Sequence, residues 1–123
     1  MKIIEDSIDG RPPHGLSKKD ISIVWPLLPS EWKSSIKIIR LCNQLNTPET
    51  AEYSIVSSRL NIFGRGKSRQ VLIHEVLMEL SSRLSMGRPV LRAKLSKNQK
   101  KNLSDSVSPL AARLVEAIRL EEG

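Results

Sequence analysis

Three stretches of this chain carry residue types that could do chemistry, and each stops short of a complete motif. Gly66-Lys67-Ser68 matches the tail of a Walker loop, in which backbone amides and a lysine cradle phosphate groups. The full pattern needs a glycine five residues before Gly66, where this sequence has Asn61. No apolar strand ending in a magnesium-binding aspartate follows, as nucleotide hydrolysis would require. A narrower expectation remains: Ser68 opens a helix, and Arg65, Lys67 and Arg69 flank a terminus whose free amides and dipole attract negative charge.

The second stretch is His74-Glu75-Val76-Leu77-Met78. A zinc-protease helix needs two histidines four residues apart on one face, with a glutamate after the first to activate water. Met78 occupies the second histidine position, and a thioether is a poor zinc ligand. The surroundings nevertheless resemble the small HExxH metallopeptidases of the zincin-like class, over roughly residues 28–84. In that class a short helix and a strand lead through a hairpin-like sheet edge into the motif helix. The order is similar here, from Leu28-Pro29-Ser30-Glu31-Trp32 and Ile36–Leu41 to Tyr53–Phe63 and Leu72–Leu80. The resemblance implies His74 as first metal ligand and Glu75 as general base. The departure at Met78, with no histidine downstream, implies a lineage that kept the fold and lost the metal. Read from the residues alone, His74 and Met78 are helix positions covered by neighbours, and no cofactor is expected.

The third stretch is electrostatic. From Arg65 to Lys101 there are ten basic residues against two acidic ones, Glu75 and Glu79, so this segment holds essentially all of the net charge of +7. Arg65, Lys67, Arg69, Arg88, Arg92, Lys94, Lys97, Lys100 and Lys101 are the candidate contacts for a polyanion, since phosphate neutralisation releases counterions. Aromatic residues are absent from the Arg88–Lys101 segment, which argues against a dedicated single-strand platform there. A DNA-reading helix pair is disfavoured because the last helix is apolar and carries Glu116, Glu121 and Glu122.

Something must position these groups, and 123 residues suffice for one domain with one core. An apolar fraction of 39% and a charged fraction of 27% suit a soluble globular protein, with four aromatics leaving aliphatic side chains to fill the interior. Apolar runs are too short to span a bilayer. Glu5, Asp6 and Asp9 stand where a secretory signal would need positive charge and an apolar stretch. The single cysteine, Cys42, excludes an intramolecular disulfide and fits a reducing cytoplasm.

Along the chain, Asp9-Gly10-Arg11-Pro12-Pro13-His14-Gly15 breaks regular structure, so residues 1–16 read as a flexible arm outside a domain of residues 17–123. Ser17 opens a short helix that gives way at Trp25-Pro26, and Ser30 opens another turn. Residues 36–41 read as a strand, and residues 51–56 and 59–63 as a hairpin lacking its expected turn glycine. Ser68 caps the clearest helix, striped by Leu72, Ile73, Val76, Leu77, Leu80 and Leu84 and ended by Gly87-Arg88-Pro89. Ser96 and Gln99 form a capping box for a short basic helix, and Ser108-Pro109 opens a separate last helix.

The expected fold is α+β: a small, largely antiparallel sheet with packed helices. The expected function is a non-catalytic binding module whose basic surface meets nucleic acid or an acidic protein. The alternatives are a metal-dependent hydrolase of zincin type, active or degenerate, and a structural subunit of a larger complex.

Overall fold

The computed structural model describes residues 1–85 and 90–122. The α+β class is as expected: four strands and four helices in one small domain. Strand β1 (Lys2–Glu5) is followed by α1 (Lys18–Val24), a single 3-10 turn (Trp25–Leu27), α2 (Ser30–Ser35) and β2 (Ile38–Cys42). Then come β3 (Ala51–Ser54), β4 (Arg59–Phe63), α3 (Arg69–Leu84), a second 3-10 turn (Arg92–Lys94) and α4 (Lys97–Glu122). The Gly87-Arg88-Pro89 helix stop lies outside the described residues.

The sheet is mixed, in the order β1-β2-β4-β3. β1 and β4 both run parallel to β2, and only β3 with β4 is antiparallel. Two of the three pairings are therefore parallel, where a largely antiparallel sheet was expected. The reason is non-local: β1 reaches β2 through the helical crossover of residues 6–37, and parallel neighbours need such a connection.

The first sixteen residues are not an arm outside the domain. Residues 2–5 are an edge strand in register with residues 38–41. Residues 13–15 return to the sheet, where the Gly15 N–H donates to the Gly64 carbonyl and the Gly66 N–H to the Pro13 carbonyl. His14, placed by the sequence in that arm, is half-buried and closes this contact. Its Nδ1 accepts the Leu16 N–H at 3.0 Å, so the proton sits on Nε2, which donates to the Ile62 carbonyl at 3.1 Å.

Alternation then sorts the strands. Ile39, Leu41, Ala51, Tyr53, Leu60 and Ile62 are buried in one core with the helices. Their neighbours Ile38, Arg40, Arg59, Asn61 and Phe63 are half-buried and outside it. Helix α3 is the centre of that core: Leu72, Leu77 and Leu80 are at most 1% exposed, and both β3 and α4 pack on it. Two buried aromatics anchor α2. The Tyr53 hydroxyl donates to the Ser35 carbonyl at 2.6 Å, and Trp32 Nε1 donates to Ser85 Oγ at 2.6 Å, each satisfying a polar tip in an apolar setting.

One local reading is explained and another corrected. The turn between β3 and β4 lacks glycine because Ser58 itself adopts positive φ (52°), and a polar residue tolerates that better than a branched one. Helix α4 is continuous through Pro109, so the two separate helices expected at Ser96 and Ser108 are one. A mid-helix proline forgoes a hydrogen bond and costs about 3 kcal/mol. Buried Leu103, Val107, Ala111, Leu114 and Ile118 continue one stripe across it, and burying a Leu, Val or Ile side chain is worth about 1.5–3 kcal/mol. Ser108 Oγ also donates to the Ser104 carbonyl at 2.7 Å, a side-chain back-bond one residue before the proline.

The His14 contact generates the first prediction. A Cβ at Gly64 would stand 2.4 Å from the His14 ring carbon Cε1. Gly64→Ala is expected to destabilise by about 1–3 kcal/mol in chemical denaturation, and the cost should shrink when combined with His14→Ala. Additive costs in the double variant would refute a clash at this ring.

Candidate functional site

The structure divides the basic stretch into an internally engaged set and an exposed set. Arg65 serves the fold: its Nε donates to the Pro12 carbonyl at 2.9 Å and Nη1 to the Asn43 carbonyl at 3.0 Å. Lys67 Nζ donates to Thr50 Oγ1 at 3.1 Å, and Arg69 pairs with Glu122 at the far end of α4. The helix start at Ser68 is capped by its own side chain, which accepts the Val71 N–H. The anion site expected around Arg65, Lys67 and Arg69 thus has its basic groups drawn into separate structural bonds.

Arg92 is the most deeply engaged of these residues. Its guanidinium pairs with Glu75 and, through Nε at 3.3 Å, with Glu79, whose side chain is only 9% exposed. The second oxygen of Glu79 accepts the Tyr53 N–H at 2.8 Å, while Arg92 Nη2 approaches the Ala51 carbonyl at 3.5 Å. β3 is an edge strand, and these are backbone groups that a fifth strand would otherwise bond. A carboxylate from α3 and a guanidinium from the second 3-10 turn take that strand's place, as edges in native sheets must be covered.

This network accounts for Glu75 and Glu79, although the i to i+4 spacing of Glu79 and Arg83 on α3 would also allow a surface pair. The carboxylate of Glu79 bonds Tyr53 and Arg92 instead. Next to it lies a hollow of about 480 Å³ lined by Glu49, Glu52, Glu79, Arg83 and Arg92 among others. Partial burial, followed by the charges of Glu49 and Glu79, raises the Glu52 carboxyl above its ordinary value.

The motif residues on α3 are placed as follows. Glu75 is held by Arg92, and Met78 is buried. His74 Nε2 lies 3.0 Å from Ser104 Oγ on α4. A serine beside a histidine invites a nucleophile reading, yet Ser104 sits inside α4, where backbone amides are spent on helix bonds and none is free to stabilise an oxyanion. Among the described residues no three His, Cys, Asp or Glu side chains converge to hold a metal ion.

The exposed set is Lys94, Lys97, Lys100 and Lys101; Arg88 lies outside the described residues. Lys97 stands three and four positions before Lys100 and Lys101, so these three share one side of α4's first turns. Among the described residues none of the four has a carboxylate partner within 4.0 Å. No acidic residue occupies the first turn. The helix dipole makes that end the positive one, so the lysines add to the local field and gain nothing from it in stability. Gln99 and Ser96 close the expected capping box, Ser96 Oγ accepting the Gln99 N–H at 3.1 Å.

Compared with protein-family models, curated proteins and solved structures, the chain finds no match. Among the described residues no helix is long and apolar enough to cross a membrane.

The network around Glu79 and the carboxyl beside it yield two expectations. Glu79→Ala strands the Tyr53 N–H and part of Arg92, and should cost about 3–5 kcal/mol in denaturant unfolding, the scale for removing one partner of a buried pair. A cost below about 1 kcal/mol would show that solvent already serves these groups. Glu52 works in the opposite sense: a carboxyl raised on folding favours the native state only while protonated. Stability attached to it is lost as pH rises from the unfolded value, about 4.3, through the folded one. Glu52→Gln should therefore raise the melting temperature at pH 7 and leave it unchanged near pH 3. An equal effect at both values would exclude ionisation as the cause.

Proposed function

We propose that this chain is a non-catalytic module that binds a polyanion, nucleic acid foremost, through Lys94, Lys97, Lys100 and Lys101. The observation that carries the reading is the contrast within one basic stretch. Arg65, Arg69, Arg92 and Lys67 are consumed by carbonyls, a hydroxyl and carboxylates, while four lysines crowd a helix start that electrostatics alone would fill with acids. Flexible ammonium groups without aromatic companions contact phosphates without reading bases. Affinity then comes from counterion release and falls steeply with salt. The single cysteine, Cys42, is buried and its thiol is pushed up by that burial, which suits a reducing cytoplasm.

The test is fluorescence anisotropy with random-sequence DNA and RNA across a salt series. Changing all four lysines to glutamine should weaken binding at every sequence alike. It should also flatten the log–log salt dependence by about 0.7–0.9 for each phosphate that is no longer neutralised. Unchanged affinity and slope in the quadruple variant would overturn the assignment.

A further inference from the structure

The helices cover one face of the sheet, and the other face has a composition that stability does not explain. Reading across the register, one row on that face is Ile4, Arg40, Asn61 and Glu52, and the next is Lys2, Ile38, Arg59 and Ser54. Along β4 the same face presents Arg59, Asn61 and Phe63 at alternate positions, spanning about 13 Å at roughly 3.3 Å per residue. Ile4, Ile38 and Phe63 lie outside the hydrophobic core, and all these residues are half-buried or exposed.

Two atoms on this face stand out chemically. Arg59 Nε and Asn61 Oδ1 are shielded from solvent, yet neither has a hydrogen-bond partner among the described residues. Asparagine is disfavoured in strands, and an orphaned acceptor in the middle strand of a sheet calls for a physical reason. At the end of β4, Phe63 borders a hollow of about 390 Å³ that also takes in Gln44, Asn46, Arg65 and Lys67. An aromatic ring, two amide side chains and two cations therefore meet where the parallel strands β2 and β4 end, the usual place for a ligand beside such strands.

We propose that this face, on which no helix packs, is a platform for single-stranded nucleic acid, with β4 as its axis. Phe63 offers the stacking surface for a base. Asn61 offers its amide donors to a base edge, and Arg59 and Arg40 meet the phosphates. The charges favour this occupant. In these two rows Lys2, Arg40 and Arg59 stand against one acid, Glu52 on the outer strand, and Asp6 bonds one nitrogen of Arg40 at 2.9 Å. Among the described residues Arg59 has no carboxylate partner. A single strand suits a sheet surface with unpaired polar groups, because its bases are free to stack and to bond. The proposal does not rest on the lysine cluster of α4, which reads no bases.

The test is a titration of the ¹⁵N-labelled full chain with hexathymidylate, its abasic counterpart and a duplex of equal length, alongside anisotropy on variants. Hexathymidylate is expected to shift the amides of Arg59–Phe63 and Arg40, and to do so in the variant with all four lysines neutralised. The abasic strand and Phe63→Leu should each weaken binding about 5- to 150-fold, the value of one stacked base. Asn61→Ala, a change outside the hydrophobic core, should weaken it as well and serves should Phe63→Leu fold poorly. The idea is overturned by shifts confined to Lys94–Lys101, a result that would leave the lysine reading standing. Equal binding of the abasic strand would also overturn it, as would a hexaglutamate peptide displacing these amides more than hexathymidylate does.

Discussion

The constraint on which the rest of this structure depends is that the chain has apolar material for one layer only. Its core is a single cluster between the helices and one side of the sheet, filled mostly by leucine and isoleucine. Parallel strands ordinarily lie between two covering layers and read as continuous apolar runs. Here β2 and β4 run parallel but alternate: Ile39 and Leu41 against Arg40, and Leu60 and Ile62 against Arg59 and Asn61. Both crossover helices and α3 must then lie on the same side. The opposite face has to be compatible with water or with a partner, which is why a mixed sheet carries arginine and asparagine on its two inner strands.

Closing the edges of so small a sheet is the next requirement, and it explains the fate of the basic stretch. A four-residue edge strand such as β3 leaves backbone donors and acceptors free, and a buried one left unpaired costs about 1–3 kcal/mol. Glu79 takes the Tyr53 N–H, but a carboxylate at that depth needs its own counter-charge, which Arg92 supplies with help from Glu75. One structural demand therefore removes two acids and a base from the surface. Arg65 is removed in the same way by the carbonyls of Pro12 and Asn43, which its guanidinium ties to the end of β4.

Local signals in the sequence carried much of the fold and little of the site. Caps were readable: Ser17, Ser68 and the Ser96–Gln99 box all occur where side-chain chemistry put them. So was the apolar stripe of α3, whose burial follows its spacing. What depended on distant partners was not readable. Lys2-Ile3-Ile4-Glu5 is too short and too polar to announce a strand, and becomes one only because β2 offers a parallel edge. Pro109 reads as a start by every local rule, but the stripe from Leu103 to Ile118 outweighs it. At the candidate site, charge counting identified the lysines but could not separate them from Arg92. The separating facts are bonds across 13, 17 and 41 residues, to Glu79, Glu75 and Ala51. In the sequence Asn61 signals only that the Walker loop is incomplete. Its alternation with Leu60 and Ile62 was the available signal that it faces away from the core.

Once paired groups are set aside, part of the positive charge of this protein stands where no bond of the fold uses it. Lys94, Lys97, Lys100 and Lys101 project from a helix start, and Arg59 lies on a sheet face without a carboxylate among the described residues. The two places differ in kind. Ammonium groups on long, mobile stems over a helix end attract phosphate at a distance and without regard to base. A strand that holds arginine, asparagine and phenylalanine at fixed spacing acts only at contact, and through the base as well as the phosphate. A long-range field that gathers a polyanion, joined to a short-range surface that discriminates among polyanions, is a division of labour that neither surface could provide alone.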